Sequence, residues 1–181
     1  MGHKSSVVTA SICALVLAVC PVVIGRAAAA GRAGAMGMGG QTVTATKVAG
    51  SYRITLKIGP MEQMYTQAQY KHTHPKHGEV MLRGAMAMGG MAMGKMNHHL
   101  EVHVLSRTTM HVVDNAMVSI SYEARDGMSM SPTKVPVAIM MGIGMGMSDV
   151  HYGNNVSMAA GAYTVMVKVN ATAASFTVKI A

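Results

Sequence analysis

The sequence predicts an all-β fold, an antiparallel β-sandwich of about seven short strands. Apolar residues alternate with polar ones in several short segments, as in the run from Tyr52 to Ile58, and this two-residue period is typical of a strand with one buried face. Turn-forming residues such as Asp126 and Gly127 separate the segments. No segment carries a convincing amphipathic-helix pattern. These observations favour a sandwich of immunoglobulin or cupredoxin-like type.

The predicted strands follow one another from about residue 41 to the end of the chain. The first two cover residues 43–48 and 52–58, and Gly50 marks the break between them. The others lie at 100–104, 118–122, 135–140, 163–169 and 176–180. Because Pro136 has no amide hydrogen to donate, the segment 135–140 is predicted at a sheet edge. Turns are predicted at 126–127, 153–155 and 170.

Residues 1–35 have the layout of a secretory signal peptide, with a basic start, an apolar stretch and a small-residue cleavage region. We therefore expect a periplasmic protein with a flexible segment at 36–40 and a single β-sandwich domain at 41–181. Lipoprotein anchoring at Cys20 is the alternative. Both cysteines, Cys13 and Cys20, lie within the signal region, so the exported domain offers no thiolate ligand and no disulfide.

The composition argues against two classes of function. The net charge is +8, but the basic residues neither cluster nor alternate with aromatic residues, so no nucleic-acid partner is predicted. The chain has only 7 carboxylates, and none of them pair in sequence, which argues against acid–base catalysis. Methionine is unusually frequent, with 21 residues against 6 Tyr and 1 Phe. Methionine side chains, which are thioethers, therefore make up much of the apolar residue content.

A histidine-rich and methionine-rich insertion is predicted at about residues 71–97. Thioether sulfur suits Cu(I), whereas imidazole suits Cu(II), zinc and nickel, so this mixture fits copper. The alternatives are a solvated polar loop for the histidine part and a low-complexity linker for the methionine part. The candidate ligands are His72, His74, His77, Met86, Met88, Met91, Met93 and Met96.

The segment HHLEVH at 98–103 is the most specific group of candidate metal ligands. On a strand Leu100 and Val102 take the core face, so His99, Glu101 and His103 share the other face. Three metal-capable side chains then form one stripe. The alternative is the ordinary polar face of a half-buried strand.

A last candidate, His151, stands in the sequence DVHYGNN after a run of methionines that includes Met145. We expect a turn here, at an end of the sandwich where loops gather and where His151 can meet another strand. The alternative is a turn with a hydrogen-bonded histidine. His99 and His151 are 52 positions apart, so their approach in space would indicate one site. We expect Glu101 on the same face and a methionine sulfur beside the two imidazoles.

The order of motifs, HLExxH, an I-S-Y strand, a methionine-rich strand end, D-x-HYGxN and AGxYxVxVxV, runs from about residue 98 to 169. It resembles the periplasmic Fe2+ transport protein (Tpd) family, copper-containing immunoglobulin-like proteins of iron uptake. The resemblance implies a metal site at His99, Glu101, Met145 and His151. The family's additional C-terminal histidine has no counterpart here, and the methionine-rich loop is not typical of the family. The C-terminal part also resembles YtkA-like domains.

From these features we expect an exported, non-catalytic copper-binding protein for metal trafficking or buffering. Copper, as Cu(I) or Cu(II), is the expected ion, and iron is the alternative. Competing functions are a component of high-affinity iron uptake, a cuprous oxidase-type redox enzyme, and a structural exported domain that binds no metal. The expected partners are metal ions and an inner-membrane metal permease or copper-handling protein, and a homodimer is left open.

Overall fold

Two β-sheets make up most of the described residues of this computed structural model, which are 41–84, 96–126 and 131–181. The strands are β1 Val43–Ala49, β2 Tyr52–Pro60, β3 Met64–Tyr65, β4 Glu79–Arg83, β5 His98–Ser106, β6 Val118–Ala124, β7 Thr133–Val135, β8 Ala138–Gly142, β9 His151–Val156, β10 Gly161–Val169 and β11 Thr172–Ile180. One α-helix, α1, covers Gln67–Thr73, and a 3-10 turn covers Met147–Asp149.

The larger sheet has seven strands in the order β1-β2-β5-β9-β8-β4-β3, and the smaller has four in the order β11-β10-β6-β7. All pairs are antiparallel except the short β3 and β4, which are parallel. The predicted all-β sandwich class is confirmed. The described strand count exceeds the predicted seven because short segments such as β3 and β7 lack a readable alternation.

The main core lies between the two sheets and is built by the alternation that the sequence predicts. Leu56 on β2 pairs with Val102 on β5, and Val165 on β10 pairs with Phe176 on β11. None of these four side chains is more than 1 % exposed. Since every second residue points inward, the alternate residues of β5, including His99, project from the outer face of the larger sheet.

That outer face is itself partly buried, because the larger sheet curves around it. Pro60 ends β2 and Met64 begins β3, yet five inter-strand steps separate these strands in the sheet order. Flat strands would lie about 24 Å apart, whereas four residues span at most about 14 Å. The sheet must therefore curl so that its outer face is concave. Four of the residues on this side, Met64, Met81, Ala138 and Met140, form a second small buried cluster.

The sequence-based prediction was wrong for the segment 135–140. It forms two strands in different sheets, β7 in the smaller and β8 in the larger, and Pro136 lies in the connection. Because proline cannot donate to a ladder, the chain leaves one sheet there and enters the other. The strand β8 lies between β9 and β4 rather than at an edge.

The predicted turn at 153–155 is also wrong, since these residues belong to β9 and are buried. The amide of Asn154 donates from Nδ2 to the carbonyl oxygen of Pro136 at 2.7 Å, so a turn-type residue is satisfied inside the sheet. A Cβ atom at Gly153 would collide with the carbonyl oxygen of Leu100. Glycine therefore serves a close approach of β9 to β5. The turn predicted at Asn170 is present, with φ of 52°.

The helix α1 was not predicted and has no buried residue. Thr66 and Gln69 form a capping box at its start, which is the local signal for this helix. Among the described residues, the structure contains no helix with the length and hydrophobicity needed to cross a membrane.

Candidate metal centre

Three strands bring ionisable side chains together on the concave face of the larger sheet. His99 lies near the start of β5, His151 begins β9, and Glu79 begins β4. The strands β5 and β9 are neighbours, and β8 separates β9 from β4. Residues that are far apart in sequence therefore meet at one place.

The carboxylate of Glu79 lies between the two imidazoles. Its Oε2 is 3.1 Å from Nε2 of His99, and its Oε1 is 3.2 Å from Nε2 of His151. The ring centroids of the two histidines are 5.9 Å apart, with an interplanar angle of 84°. One ligand atom from each residue falls within 4.8 Å of the other two. We call Glu79, His99 and His151 the inner site.

The inner site is almost fully buried, with His99 and His151 each 1 % exposed and Glu79 6 % exposed. Despite the short distances, Oε2 of Glu79 and Nε2 of both histidines make no hydrogen bond of acceptable geometry. Buried polar atoms are almost always paired, because leaving one unpaired is costly. One ligand atom from each residue lies within 4.8 Å of the other two, so a cation bound among them would satisfy these unpaired atoms.

The opposite edges of both imidazoles are held by acceptors. Nδ1 of His151 lies 2.7 Å from the carbonyl oxygen of Asp149, and Nδ1 of His99 lies 2.9 Å from Oδ1 of Asn155. A carbonyl oxygen only accepts, so both Nδ1 atoms carry the proton. In the neutral ring, Nε2 then presents its lone pair toward Glu79. Metal-ligating histidines are held in this way by an outer partner.

The electrostatics of the inner site couple its three groups. Burial opposes ionisation of Glu79, but the contacts with His151 and His99 outweigh it and lower the pKa of Glu79 to about 2. Burial alone would lower the pKa of each imidazole, yet the Glu79 carboxylate raises the pKa of both His99 and His151 above 6.5. The carboxylate and the two imidazoles therefore favour one another's charged forms.

A second group lies beside the inner site and is more exposed. Oε2 of Glu101 accepts a hydrogen bond at 2.9 Å from Nε2 of His103 and lies 3.4 Å from Nζ of Lys57. The His103 ring is 5.1 Å from that of His151, and ligand atoms of Glu101, His103 and His151 also fall within 4.8 Å of one another. Burial opposes ionisation of Glu101, but the hydrogen bond from His103, with His151 and Lys57 nearby, lowers its pKa to about 2. We call Glu101, His103 and His151 the outer group.

The structure thus brings His99, Glu101, His103 and His151 to one face, whereas Met145 is not buried with them. Met145 lies between β8 and β9 with 64 % of its surface exposed. Met96 is half-buried just before β5. The predicted histidine ligands of the insertion are exposed and do not converge with other ligands within the described ranges: His72, His74 and His77. Four predicted methionine ligands, together with the signal peptide and residues 36–40, lie outside the described residues: Met86, Met88, Met91 and Met93.

Two residues near the centre were missed from the sequence. Glu79 is the carboxylate of the inner site, and its one local signal is a position directly before the apolar run Val80–Leu82. Met140 pairs with His151 in the β8–β9 register and is fully buried. Directly paired residues project from the same face, so a thioether borders the inner site at Met140.

Comparison with known proteins assigns no family to this chain. No protein-family model matches the chain, and no curated protein matches it. A crystal structure of FetP from uropathogenic E. coli strain F11, in its as-isolated form, aligns with a TM-score of 0.47. The identity is 11 %, over 72 % of this chain and 75 % of that one. The candidate metal centre therefore rests on its own geometry.

Proposed function

We propose that this protein binds copper at the inner site and serves in copper trafficking or buffering in an exported compartment, without catalysing a reaction. One observation carries the proposal, the convergence of three buried ligand atoms that have no hydrogen-bond partner. In this reading copper is the cargo, and the protein's task is to capture, hold and release it.

A purely structural salt bridge accounts less well for the same atoms. A buried imidazolium would be expected to aim its N–H at a carboxylate oxygen, since a charged donor is costly to bury without an aligned acceptor. Here Nε2 of His99 and His151 approach Glu79 to 3.1 and 3.2 Å without that alignment. Ligand atoms that surround an ion show this arrangement, because they point at the ion and not at each other.

Copper is favoured by the mixture of donors on the concave face. Two imidazoles and a carboxylate suit borderline divalent ions such as Cu(II) and Zn(II), and thioether sulfur suits Cu(I). Met140 is paired with His151, and Met81 is paired with Met140, so two buried thioethers lie on the same face. A face with both donor types can accommodate copper in either oxidation state.

The methionine-rich stretch supports a second, Cu(I)-specific role. Six methionines occur between residues 81 and 96, and a thioether has no proton to lose, so it ligates over a wide pH range. We propose that Met86, Met88, Met91, Met93 and Met96 recruit Cu(I) and supply the folded site. An inner-membrane metal permease or copper-handling protein is the proposed recipient.

Iron handling is the second candidate function. Carboxylate oxygen is a harder donor than imidazole or thioether. Glu79 supplies one carboxylate to the inner site, and Glu101 supplies one to the outer group. A protein for iron uptake would bind Fe(II) through Glu79 and would gain little from Met140. The relative affinity for Cu(II), Zn(II) and Fe(II) therefore separates the two functions.

The direct test is a competition titration of metal-free protein, residues 36–181, with Cu(II) against a chelator of known affinity. The expected result is one tightly bound Cu(II) per chain, with the electron paramagnetic resonance signature of two imidazole nitrogens. His151→Ala should weaken the binding by more than 100-fold, since losing even an outer partner of a ligand costs about 10–100-fold. The control is His111→Ala, which removes an exposed histidine. Equal affinity in the two variants would contradict the proposal.

The role of the methionine-rich stretch is tested by deleting residues 85–95. The expected result is fewer Cu(I) ions per chain, with the Cu(II) stoichiometry and the circular dichroism spectrum unchanged. An unchanged Cu(I) count would make the stretch a linker.

A further inference from the structure

Asn155 connects the inner site to the segment that closes the concave face. Residues 60–63 join β2 to β3, and we call them the strap. Oδ1 of Asn155 accepts a hydrogen bond from the amide of Glu62 at 3.2 Å, and Nδ2 of Asn155 donates to the carbonyl oxygen of Glu62 at 2.8 Å. The same Oδ1 lies 2.9 Å from Nδ1 of His99. One side-chain amide therefore contacts both the strap and a candidate metal ligand.

We infer that Asn155 is a positioning residue that holds the tautomer of His99 required for metal binding and latches the strap at the same time. The metal-binding part of this inference rests on the proposed function. The hydrogen bonds of Asn155 do not depend on a bound metal. The orientation of the amide is fixed by Glu62. A flipped amide would place its NH2 group against the Glu62 N–H and its oxygen against the Glu62 carbonyl, and both contacts would be repulsive.

The fixed amide dictates the protonation of His99. Since Oδ1 of Asn155 only accepts, Nδ1 of His99 must donate, and the lone pair of the neutral ring is left on Nε2, toward Glu79. His151 differs, because its Nδ1 acceptor is the backbone carbonyl of Asp149. A side-chain substitution can therefore remove the orienting partner of His99 but not that of His151.

The strap and the metal are then thermodynamically linked. If the latched strap favours the binding-competent tautomer of His99, bound metal must stabilise the latch by the same factor. Glu62 itself is exposed, and its contact with Asn155 is made by its backbone N–H and carbonyl groups.

Asn154 provides a matched control in the same strand. It is also buried, at 2 % exposure, and its side-chain amide makes two hydrogen bonds. Its Nδ2 donates to the Pro136 carbonyl, and its Oδ1 accepts from the backbone N–H of Asn155. Because successive residues of a strand point to opposite faces, its side chain projects away from the inner site. Asn154→Ala should therefore lower stability without acting directly on His99.

The experiment compares Asn155→Ala, Asn155→Asp and Asn154→Ala with the parent protein, residues 36–181, and uses Cu(II) and Zn(II) ions alone as probes. Asn155→Ala should weaken Cu(II) binding by about 10–100-fold. Asn155→Asp should bind within about tenfold of the parent, because a carboxylate still accepts from His99, although its second oxygen repels the Glu62 carbonyl and weakens the latch. Asn154→Ala should bind like the parent under conditions in which it is folded.

Two nuclear magnetic resonance readouts separate positioning from simple destabilisation. In metal-free protein at a pH where His99 is neutral, 15N shifts should report the Nδ1–H tautomer in the parent and in Asn154→Ala, and a mixture of tautomers in Asn155→Ala. Zn(II) should slow hydrogen exchange of the Glu62 amide in the parent, but not in Asn155→Ala.

The outcomes keep this inference distinct from the proposed function. A parent protein that binds no metal would overturn the proposed function, and the tautomer measurement would still decide the role of Asn155. Normal Cu(II) binding by Asn155→Ala, an equal loss in Asn154→Ala, or an unchanged His99 tautomer would overturn the inference about Asn155.

Discussion

Replacing Glu79 with glutamine should destabilise the metal-free protein in a defined pH window. Glutamine has nearly the shape of a protonated glutamic acid, so Glu79→Gln mimics permanent protonation of this buried carboxyl. The pKa of Glu79 falls from 4.5 to about 2 in the folded protein. Each pKa unit corresponds to about 1.4 kcal/mol, so the ionised carboxylate should contribute about 3 kcal/mol to the free energy of unfolding.

The pH window follows from the signs of the pKa changes. The lowered pKa of Glu79 means that its contribution is present above about pH 4.5 and is lost as the pH falls toward 2. The raised pKa values of His99 and His151 mean that their contribution is complete below about pH 6.5 and is lost as the pH rises through their folded-state values. The carboxylate and the imidazolium therefore stabilise each other most between these limits.

The assay is urea unfolding of metal-free protein at about pH 5.5 and pH 8.5, followed by circular dichroism. Glu79→Gln should cost about 3 kcal/mol at the lower pH and clearly less at the higher pH. The control is Glu123→Gln, which removes the same charge from β6 in the smaller sheet. An equal cost of Glu79→Gln at both pH values, or a cost no larger than that of the control, would refute the charge coupling in the inner site.

Three further predictions concern metal binding and packing. Cu(II) affinity in competition titrations should rise from pH 6 to pH 8, because Cu(II) must displace protons from His99 and His151, whose pKa values are raised; a flat profile would contradict this. Met140→Leu conserves side-chain volume and should lower the free energy of unfolding in urea by less than about 1.5 kcal/mol. It should weaken Cu(I) binding and leave Cu(II) binding unchanged, and equal effects on both ions would contradict a thioether ligand. Gly153→Ala should lower the free energy of unfolding by about 1–3 kcal/mol, because its Cβ collides with the Leu100 carbonyl, and normal stability of this variant would contradict that close approach.

Strand identity was predictable wherever one face of a strand is buried and the other is not. The alternation in β2, β5, β10 and β11 marks their core residues, and Leu100 and Val102 are fully buried as the pattern requires. The same alternation is sufficient to place His99, Glu101 and His103 on one face, without information on tertiary contacts. Face assignment is local information, since it depends only on the two-residue period of a strand.

The prediction failed where tertiary contacts satisfy residues that usually form turns. The Gly-Asn-Asn sequence of β9 has low strand propensity, but its amides bond to Pro136, Glu62 and His99 across the sheet. Strand propensity depends on context, and the local sequence does not reveal hydrogen-bond partners that lie far away in the chain. The Asn155 amide also orients His99, so a contact that keeps this segment in the sheet also positions a candidate metal ligand.

The carboxylate of the inner site could not be predicted for a related reason. Glu79 reaches His99 only because the sheet curls until β4 approaches β5, and that curvature depends on a short strap and a two-residue strand, β3. The family resemblance placed the thioether ligand at Met145 by motif position, and Met145 is 64 % exposed. The β8–β9 register pairs His151 with Met140 instead. Register is a property of the folded sheet and not of sequence distance.

The burial of Glu79, His99 and His151 is difficult to explain by folding stability alone. Their neighbours on the concave face, Ala138 and Met140, are apolar and fully buried. Apolar residues at the three polar positions would extend that cluster, and replacing buried ionic groups with well-packed apolar ones is often neutral or stabilising. Three buried ionisable side chains at one place are therefore not what folding stability alone would select. Binding of an ion would offset that cost, since it would supply a partner to the atoms that have no hydrogen bond.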